Sequence, residues 1–397
     1  MLNVHFGDEN NLKDKSYVAS LAGQMLARGT SKHTRQELKD ELDRIKASAM
    51  VMGSAAGATI RITTTKENLP KAVDLAIEML EDSTFPANEF DQLKRQMLAG
   101  LENSKSQPQA IAITALQRQL NRYPKGDIRY TPTIEEQIEG IQAVTLDDVK
   151  AFYRSYYGAP AGELAVIGEF DPEGLQKQVS DRMNEWKSQQ KFARILRTFQ
   201  ASTPKNETFE TPDKANDMWL AGMSLKLRDS DPDYPALMLG NYLLGQGMNS
   251  RMFARIRTRE GLSYGVGSQL SANAEDDLGT FMAYAICAPE NAPKVEASFK
   301  DELTQILTKG YTAEEVEAAK KSWVQSRAVS RANDNELVSR LAGHSYDNRT
   351  MAFDAAMEAK VQALTPAAIQ TAMKKYLDVS KLSFVRAGDF RKANVTW

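Results

Sequence analysis

The sequence has a single cysteine and three histidines among its 397 residues. Because only Cys287 is present, an internal disulfide, a four-cysteine zinc site and a C-x-x-C redox pair are excluded. His5, His33 and His344 are too far apart in the sequence for any two of them to bind one metal ion from adjacent turns of a helix. We therefore expect no metal or other cofactor in this chain.

Long hydrophobic runs and an excess of one charge are also missing. No uninterrupted apolar stretch reaches the 18 residues typical of a transmembrane helix, so no membrane partner is expected. Lys and Arg number 50 against 52 for Asp and Glu, which gives a formal net charge of −2. Nucleic-acid-binding proteins normally carry a basic excess, so no nucleic-acid partner is expected. The composition, 42% hydrophobic and 26% charged, is typical of a globular protein with two or three domains.

An internal duplication organises the chain. Short matches recur in the same order at a nearly constant displacement of about 220 residues. Gly23 matches Gly240, and the segment 168–170 (Gly-Glu-Phe) matches 388–390 (Gly-Asp-Phe). Several ordered matches at one displacement indicate duplication, so the chain is predicted to contain two similar units.

Each unit is predicted to combine a sheet with several helices. Thr34 and Glu37 form a capping-box pattern ahead of an apolar stripe with helical spacing. Ile60 and Ile62 alternate with polar residues, as in a half-buried strand. Residues 164–167 and 382–387 are predicted to be the last strands of the two units. Because helices and strands come in blocks and do not alternate strictly, the predicted fold class is α+β with largely antiparallel sheets.

The predicted boundaries are residues 1–195 for the first unit and 214–397 for the second. The stretch 196–213 between them is polar and rich in turn residues, which is typical of a linker. About twenty residues precede the first predicted strand of the second unit, at 218–227, whereas the first unit begins almost on its equivalent strand. The chain is therefore expected to be a fragment of a longer polypeptide.

The segment 249–264 is predicted to be a basic helix that runs into a strand. Its Arg257 and Tyr264, seven positions apart, resemble the C-terminal-half signature of the pitrilysin/insulinase-type zinc metallopeptidases, the inverzincins. The segments 34–37 (Thr-Arg-Gln-Glu) and 68–70 (Asn-Leu-Pro) are also similar to that family, so the resemblance covers the whole chain. It implies half of a clam-shaped enzyme, in which Arg257 and Tyr264 hold the substrate backbone near the scissile bond.

The zinc-binding motif of that family is degenerate here. In catalytic members, H-x-x-E-H supplies two histidine ligands and a glutamate base, and a further glutamate ligand follows about 76 residues later. The segment 25–30 resembles the residues after this motif, which places the motif on residues 20–24. Ser20 and Gln24 stand in place of the histidines, Gly23 in place of the base, and Gly100 at the spacing of the third ligand. The chain alone is therefore expected neither to bind catalytic zinc nor to hydrolyse peptides.

The resemblance favours a non-catalytic half that contributes Arg257 and Tyr264 to a composite peptidase site. The catalytic half with H-x-x-E-H would bind the zinc, and a peptide would be the substrate. The alternative is a catalytically inert scaffold or peptide-binding subunit of the same fold. Simpler interpretations also stay open for both residues. Arg257 lies among Arg251, Arg255 and Arg259 on a basic helix face, and such a face is usually only a solvated surface. Tyr264 alternates with Leu262 and Val266 on a predicted strand, as a packing tyrosine would.

The sequence says least about the cellular compartment and the oligomeric state of the protein. Bacterial members of such families occur in both the periplasm and the cytoplasm, and the periplasm is the preferred expectation. Without its partner, the chain is also expected to form a homodimer, because the inner apolar face of an isolated half would be exposed.

Overall fold

The first of two α+β units is built on a four-stranded sheet in the computed structural model, which describes residues 1–397. Its strands lie in the order β2-β3-β1-β4, and every neighbouring pair is antiparallel. The strands are β1 Leu2–His5, β2 Ser48–Ser54, β3 Gly57–Thr63 and β4 Ala161–Leu164. The helices are α1 Ser16–Met25, α2 Arg35–Arg44, α3 Leu69–Glu81, α4 Ala87–Ser104, α5 Pro108–Leu120, α6 Ile134–Ala143, α7 Leu146–Tyr156 and α8 Pro172–Glu185.

The second unit repeats this plan with one additional strand. Its strands lie in the order β5-β9-β6-β8-β7, and only β5 and β9 are parallel. The strands are β5 Asn206–Glu210, β6 Asp217–Leu225, β7 Ser263–Ala272, β8 Gly279–Cys287 and β9 Ser383–Gly388. The helices are α9 Tyr234–Gly245, α10 Ala292–Lys309, α11 Ala313–Ala332, α12 Asp334–Tyr346, α13 Met351–Gln362 and α14 Pro366–Tyr376, and a π-helical turn spans Phe253–Arg259. The predicted α+β fold of two similar units is thus confirmed.

Local sequence signals set several element boundaries. The capping box of α2 is formed, since the Glu37 N–H donates to Thr34 Oγ1 at 3.3 Å and the Thr34 N–H donates to Glu37 Oε2 at 2.7 Å. The predicted strand at 164–167 is wrong in its position. The chain pairs with β1 over residues 161–164, where Leu164 lies opposite Leu2, and Ala165 then exchanges two backbone hydrogen bonds with Met1. No helix of the chain is long and apolar enough to cross a lipid bilayer.

Each unit lays one helix on the sheet of the other. From the first unit, α5 packs Ala112 and Leu116 against Leu220 of β6 and Val385 of β9, and these side chains belong to one buried apolar cluster. From the second unit, α12 lies on the first sheet, where the Tyr346 ring lies 4.9 Å from the ring of His5. The two units therefore share a core in addition to their own.

Each of these helices covers only half of a sheet. On the first sheet, Met50 and Met52 of β2 share the face that α12 contacts and are 52% and 53% exposed. On the second sheet, Gln269 and Ser271 of β7 line an open groove beside α5. The strand pairs β2–β3 and β7–β8 thus form the open inner surface of the chain.

The segment between the units is partly structured. Residues 196–205 have no regular secondary structure, whereas Asn206–Glu210, within the stretch predicted as a linker, forms β5. Just before the segment, Arg194 forms an ion pair with Asp276 of the second unit. The Arg197 N–H donates to the same carboxylate at 2.9 Å. The connection is therefore held against the second unit.

Candidate functional site

The degenerate zinc motif lies on α1, and its polar side chains contact each other. Gln24 Nε2 donates to Ser20 Oγ at 3.4 Å, one helical turn away. It also lies 3.5 Å from the sulfur of Met97 on α4. A hydroxyl, a neutral amide and a thioether are poor zinc ligands compared with imidazole and carboxylate. The donor set at these positions therefore does not fit zinc.

Met97 of α4 faces the motif, although the sequence did not indicate this residue. Gly100 lies about one turn further along α4. A Cβ atom built at Gly100 would have no other atom within 4 Å, so this position opens onto free space. Sequence spacing alone assigned the third-ligand position to Gly100. The contact between Gln24 and Met97 depends on how α1 and α4 pack, which no local pattern encodes.

The space for the catalytic base is closed as well. A Cβ atom at Gly23 would lie 2.3 Å from the carbonyl oxygen of Gly53 on β2. A Cβ atom at Gly53 would lie 2.1 Å from the Tyr157 hydroxyl. Helix and strand therefore meet backbone to backbone, and a glutamate at position 23 would require them to separate. Nowhere in the chain do three or more His, Cys, Asp or Glu side chains form a group that could hold a metal ion.

The four arginines of the basic segment divide into two kinds. Arg251 pairs with Glu315 at 2.8 Å and with Glu302 at 3.4 Å. Arg255 pairs with Glu260 at 2.9 Å and with Glu302 at 3.2 Å. Burial alone would raise the pKa of Glu260, but hydrogen bonds from Ser298 and Arg255 hold that pKa below its usual range. These two arginines therefore anchor the π-helical turn to α10 and α11.

Arg257 and Arg259 are of the second kind, because both are exposed and neither has a carboxylate within ion-pair distance. The Arg257 guanidinium lies over the ring of Phe253, 4.9 Å from its centroid. π-Helical turns are rare and are often found at functional sites. The interpretation of the whole basic face as one solvated surface is thus too simple: two of its arginines are structural, and two are free.

Tyr264 emerges from a bulge at the start of β7. The register with β8 pairs Ser263 with Cys287 and then Gly265 with Ile286, so Tyr264 is the extra residue. Ser263 Oγ contacts the carbonyl oxygens of Gly265 at 2.7 Å and Ile286 at 2.8 Å, which fixes the bulge. The Tyr264 side chain is 69% exposed, so the interpretation as a packing tyrosine is wrong.

The pair can donate hydrogen bonds at one edge of the second sheet. A guanidinium offers five N–H donors in a fixed plane, and a phenol offers one O–H donor. Neither Arg257 nor Tyr264 spends a side-chain donor on a hydrogen bond within the protein. Such donors suit the carbonyl oxygens of a peptide and the oxyanion that develops when a carbonyl is attacked.

The three histidines lie apart from one another and make structural contacts. His5 bonds to Glu163 of β4 at 2.8 Å, and His33 bonds to Glu78 of α3 at 2.8 Å. His344 of α12 contacts the buried Asp354 of α13. Each joins its own pair of elements, and none of them lies at the motif on α1.

Comparison with known proteins identifies the family of the chain. Residues 1–133 match the insulinase (peptidase family M16) family, and residues 143–322 match the peptidase M16 inactive domain. The non-peptidase homolog YmxG of Helicobacter pylori is 22% identical over 396 residues, covering 98% of this chain and 89% of that protein.

Solved structures show the same fold. The peptidase M16 inactive domain from Pseudomonas fluorescens has a TM-score of 0.84 at 24% identity, covering 98% of this chain and 92% of that one. The periplasmic protease PqqL from Escherichia coli has a TM-score of 0.74 at 14% identity, covering 97% of this chain but 42% of that one. Since the two family matches together span more than three quarters of its length, the chain belongs to the M16 (pitrilysin/insulinase) peptidase family, as a member without the catalytic zinc-binding residues.

Proposed function

We propose that this chain is the non-catalytic half of a zinc metallopeptidase and supplies Arg257 and Tyr264 to a composite site. The observation that carries the proposal is the contrast within the basic segment. Arg251 and Arg255 are engaged in ion pairs, whereas Arg257 and Tyr264 are exposed and have their donors free. Exposed side chains on a fixed bulge and a fixed turn are suited to contact another molecule.

The zinc and the general base come from the partner in this proposal. Ser20 and Gln24 are poor ligands, and the contact between Gly23 and Gly53 leaves no room for a base. A second half with H-x-x-E-H would therefore bind the zinc and face the inner surface of this chain. The match to only 42% of the PqqL chain is consistent with a fold that corresponds to one half of a larger enzyme.

The roles of Arg257 and Tyr264 in this proposal follow from the hydrogen-bond donors of their side chains. The Arg257 guanidinium would hold a substrate carbonyl beside the scissile bond, and the Tyr264 phenol would donate to the developing oxyanion. Such donors act strongly where closure of two halves excludes water. Removal of one donor of this kind typically costs on the order of 100-fold to 1,000-fold in rate.

A catalytically inert scaffold or peptide-binding subunit is the second candidate. It is favoured by the loss of all the zinc-site residues together with the closed contact at Gly23. The name of the Helicobacter pylori relative, a non-peptidase homolog, points the same way. In this case the inner surface would bind a partner or a peptide without taking part in cleavage.

Peptidase assays with a quenched-fluorescent peptide and added zinc distinguish the two functions. We expect no cleavage by this chain alone and cleavage by a mixture with an H-x-x-E-H half, at a rate well above that of the catalytic half alone. Chelator-sensitive cleavage by this chain alone would show that the motif lies elsewhere than Ser20–Gln24. A mixture that forms a complex but cleaves no faster than the catalytic half favours the scaffold.

Compartment and self-association complete the proposal. We place this chain and its catalytic half in the periplasm, and fractionation of cells that express both would test this. In the absence of the catalytic half we expect the chain to form a homodimer through its inner face. Light scattering of the purified chain, with and without the partner, measures this directly.

A further inference from the structure

A groove of about 970 Å³ lies on the part of the second sheet that α5 leaves open. It is bounded by α5, residues 121–132, residues 197–200 and the inner face of β7 and β8. Among its 25 lining residues the only charged ones are arginines, namely Arg122, Arg129 and Arg197. We refer to it as the arginine groove. Its volume is at the upper end of the range for ligand sites.

Two of the three arginines have no ion-pair partner in the protein. Arg129 is neutralised by Asp127, to which its Nε and Nη2 both donate at 2.8 Å. Arg122 and Arg197 have no carboxylate within ion-pair distance, and Arg122 Nη1 donates only to the carbonyl oxygen of Ala201 at 2.9 Å. A concave surface with charge of one sign concentrates the field it presents to a ligand. The groove therefore attracts anionic groups.

The neutral part of the lining suits a polypeptide backbone. Five glutamine side chains line the groove and make no hydrogen bond within the protein; they are Gln117, Gln137, Gln200, Gln246 and Gln269. Each amide both donates and accepts, as the peptide group does. An extended peptide can therefore bond along the groove without a particular sequence.

The aromatic residues argue against nucleic acid. Tyr123 and Tyr130 are both half-buried. One face of the Tyr123 ring is covered by the Arg129 guanidinium at 4.1 Å, and one face of the Tyr130 ring by Arg118 at 5.4 Å. Single-stranded nucleic acids are held largely by bases stacking on open aromatic rings. At most one face of each ring is left for such stacking, so the groove is a poor platform for bases.

The walls of the groove are held in place before any ligand arrives. The carbonyl oxygen of Leu196 accepts from Arg129 Nη1 at 2.5 Å, and the Thr198 N–H donates to the Tyr123 hydroxyl at 3.2 Å. Together with the contact of the Arg197 N–H to Asp276, these bonds fix the segment that carries Arg197. Little order has to be gained on binding, which favours affinity.

We propose that the arginine groove binds an extended acidic segment of a peptide. Gln269 follows Tyr264 by five residues on β7, a distance of about 17 Å along a strand. A peptide passing Arg257 and Tyr264 would therefore place its acidic residues in the groove about five residues from the scissile bond. The inference deepens the composite-site proposal and rests on it for cleavage, whereas binding in the groove is a property of this chain alone.

Fluorescence anisotropy with the full chain and no catalytic half tests the binding. The probe is a fluorescein-labelled peptide with a run of glutamates, compared with the same peptide carrying glutamines. We expect the glutamate peptide to bind about ten-fold more tightly at low salt, and the Arg122→Gln/Arg197→Gln variant to abolish that preference. The matched control is Arg95→Gln/Arg391→Gln, which removes two exposed arginines outside the groove and should leave the preference intact.

Three results would overturn the inference. The two peptides could bind equally, the control variant could weaken binding as much as the groove variant, or a single-stranded oligonucleotide could bind more tightly than the glutamate peptide in a manner that depends on Arg122 and Arg197. None of these results involves cleavage. A failure of the peptide-binding proposal can therefore be distinguished from a failure of the composite-site proposal.

Discussion

In both units a helix packs closely against the open-edge strand of the sheet, and the two units differ at the start of that strand. In the first, α1 contacts the open-edge strand β2 through Gly23 and Gly53, and β2 pairs with β3 without a bulge over all seven residues. In the second, α9 contacts the open-edge strand β7 through Gly245 and Ser268. There, however, β7 begins with the bulge at Tyr264. Both units use small residues to bring helix and strand together, and only the edge strand of the second has a bulge, at the exposed Tyr264.

The two units also differ in the state of their candidate site residues. In the first unit the catalytic residues are absent, and α1 packs directly on β2. Backbone atoms therefore occupy the space of the site. In the second unit Arg257 and Tyr264 make no ion pair or side-chain hydrogen bond within the protein, although Arg251 and Arg255 beside them are engaged in ion pairs. Groups left free on a rigid support are suited to binding another molecule.

The largest effect is expected at the closed contact of the first unit. Gly23→Ala should destabilise the protein by about 3 kcal/mol, because the new Cβ would lie 2.3 Å from a backbone oxygen that must move. Gly100→Ala is the matched control, since it also lies in a helix but opens onto free space. It should stabilise the protein by up to about 1 kcal/mol through helix propensity. Urea unfolding of both variants measures the difference, and equal effects would contradict the closed contact.

A smaller effect, dependent on pH, is expected beneath the bulge of the second unit. Burial raises the pKa of Asp217 to about 7, although Cys287 donates hydrogen bonds to its Oδ1. The folded state therefore holds a proton that the unfolded state releases, so stability falls as pH rises from about 4 to about 7 and stays low above that. Asp217→Asn removes this loss.

Asp217→Asn should gain about 2 kcal/mol relative to the native protein between pH 4 and pH 6. Asp217 Oδ2 has no hydrogen-bond partner, and the amide N–H₂ in its place would have none either. That cost is the same at both pH values, so it does not change the difference between them. Unfolding in urea at both pH values measures the change. Asp91→Asn, an exposed carboxylate on α4, should show no such dependence. A gain that does not change with pH would show that Asp217 is ionised in the folded protein.

The smallest effects should separate the two kinds of arginine. Arg255→Ala leaves Glu260 and Glu302 without their partner and should cost about 1 to 2 kcal/mol of unfolding free energy. Arg257→Ala removes an exposed side chain without an ion pair and should cost less than about 0.5 kcal/mol. Thermal unfolding of both variants tests this. If Arg257→Ala were as damaging as Arg255→Ala, Arg257 would be a structural residue.

The sequence predicted what local signals encode. The capping box at Thr34 and Glu37 begins a helix, and the closing strand predicted at 382–387 is observed at Ser383–Gly388. The duplicated α+β architecture follows from matches spread along the chain, which survive local variation. The family resemblance of residues 249–264 rests on spacing within one segment, and it needs no knowledge of distant contacts.

Features that depend on packing between distant segments were not predictable. The contact of Gln24 with Met97 depends on the packing of two helices, and the pairing of residues 206–210 with β9 depends on chain about 180 residues away. The bulge at Tyr264 depends on the register of β7 against β8. Likewise, Arg255 and Arg257 look equivalent in the sequence, since their difference lies in the carboxylates that α10 brings to one of them.

We propose that Arg257 and Tyr264 of the second unit act on a substrate bound to a catalytic partner. The most direct measurement is kcat/KM of the reconstituted two-half enzyme with Tyr264→Phe in this chain, with Arg259→Ala as the control for a nearby free side chain. We expect a loss of about 100-fold to 1,000-fold, mainly in kcat, for Tyr264→Phe with unchanged assembly of the halves, and little change for the control. Full activity of the Tyr264→Phe enzyme would contradict it.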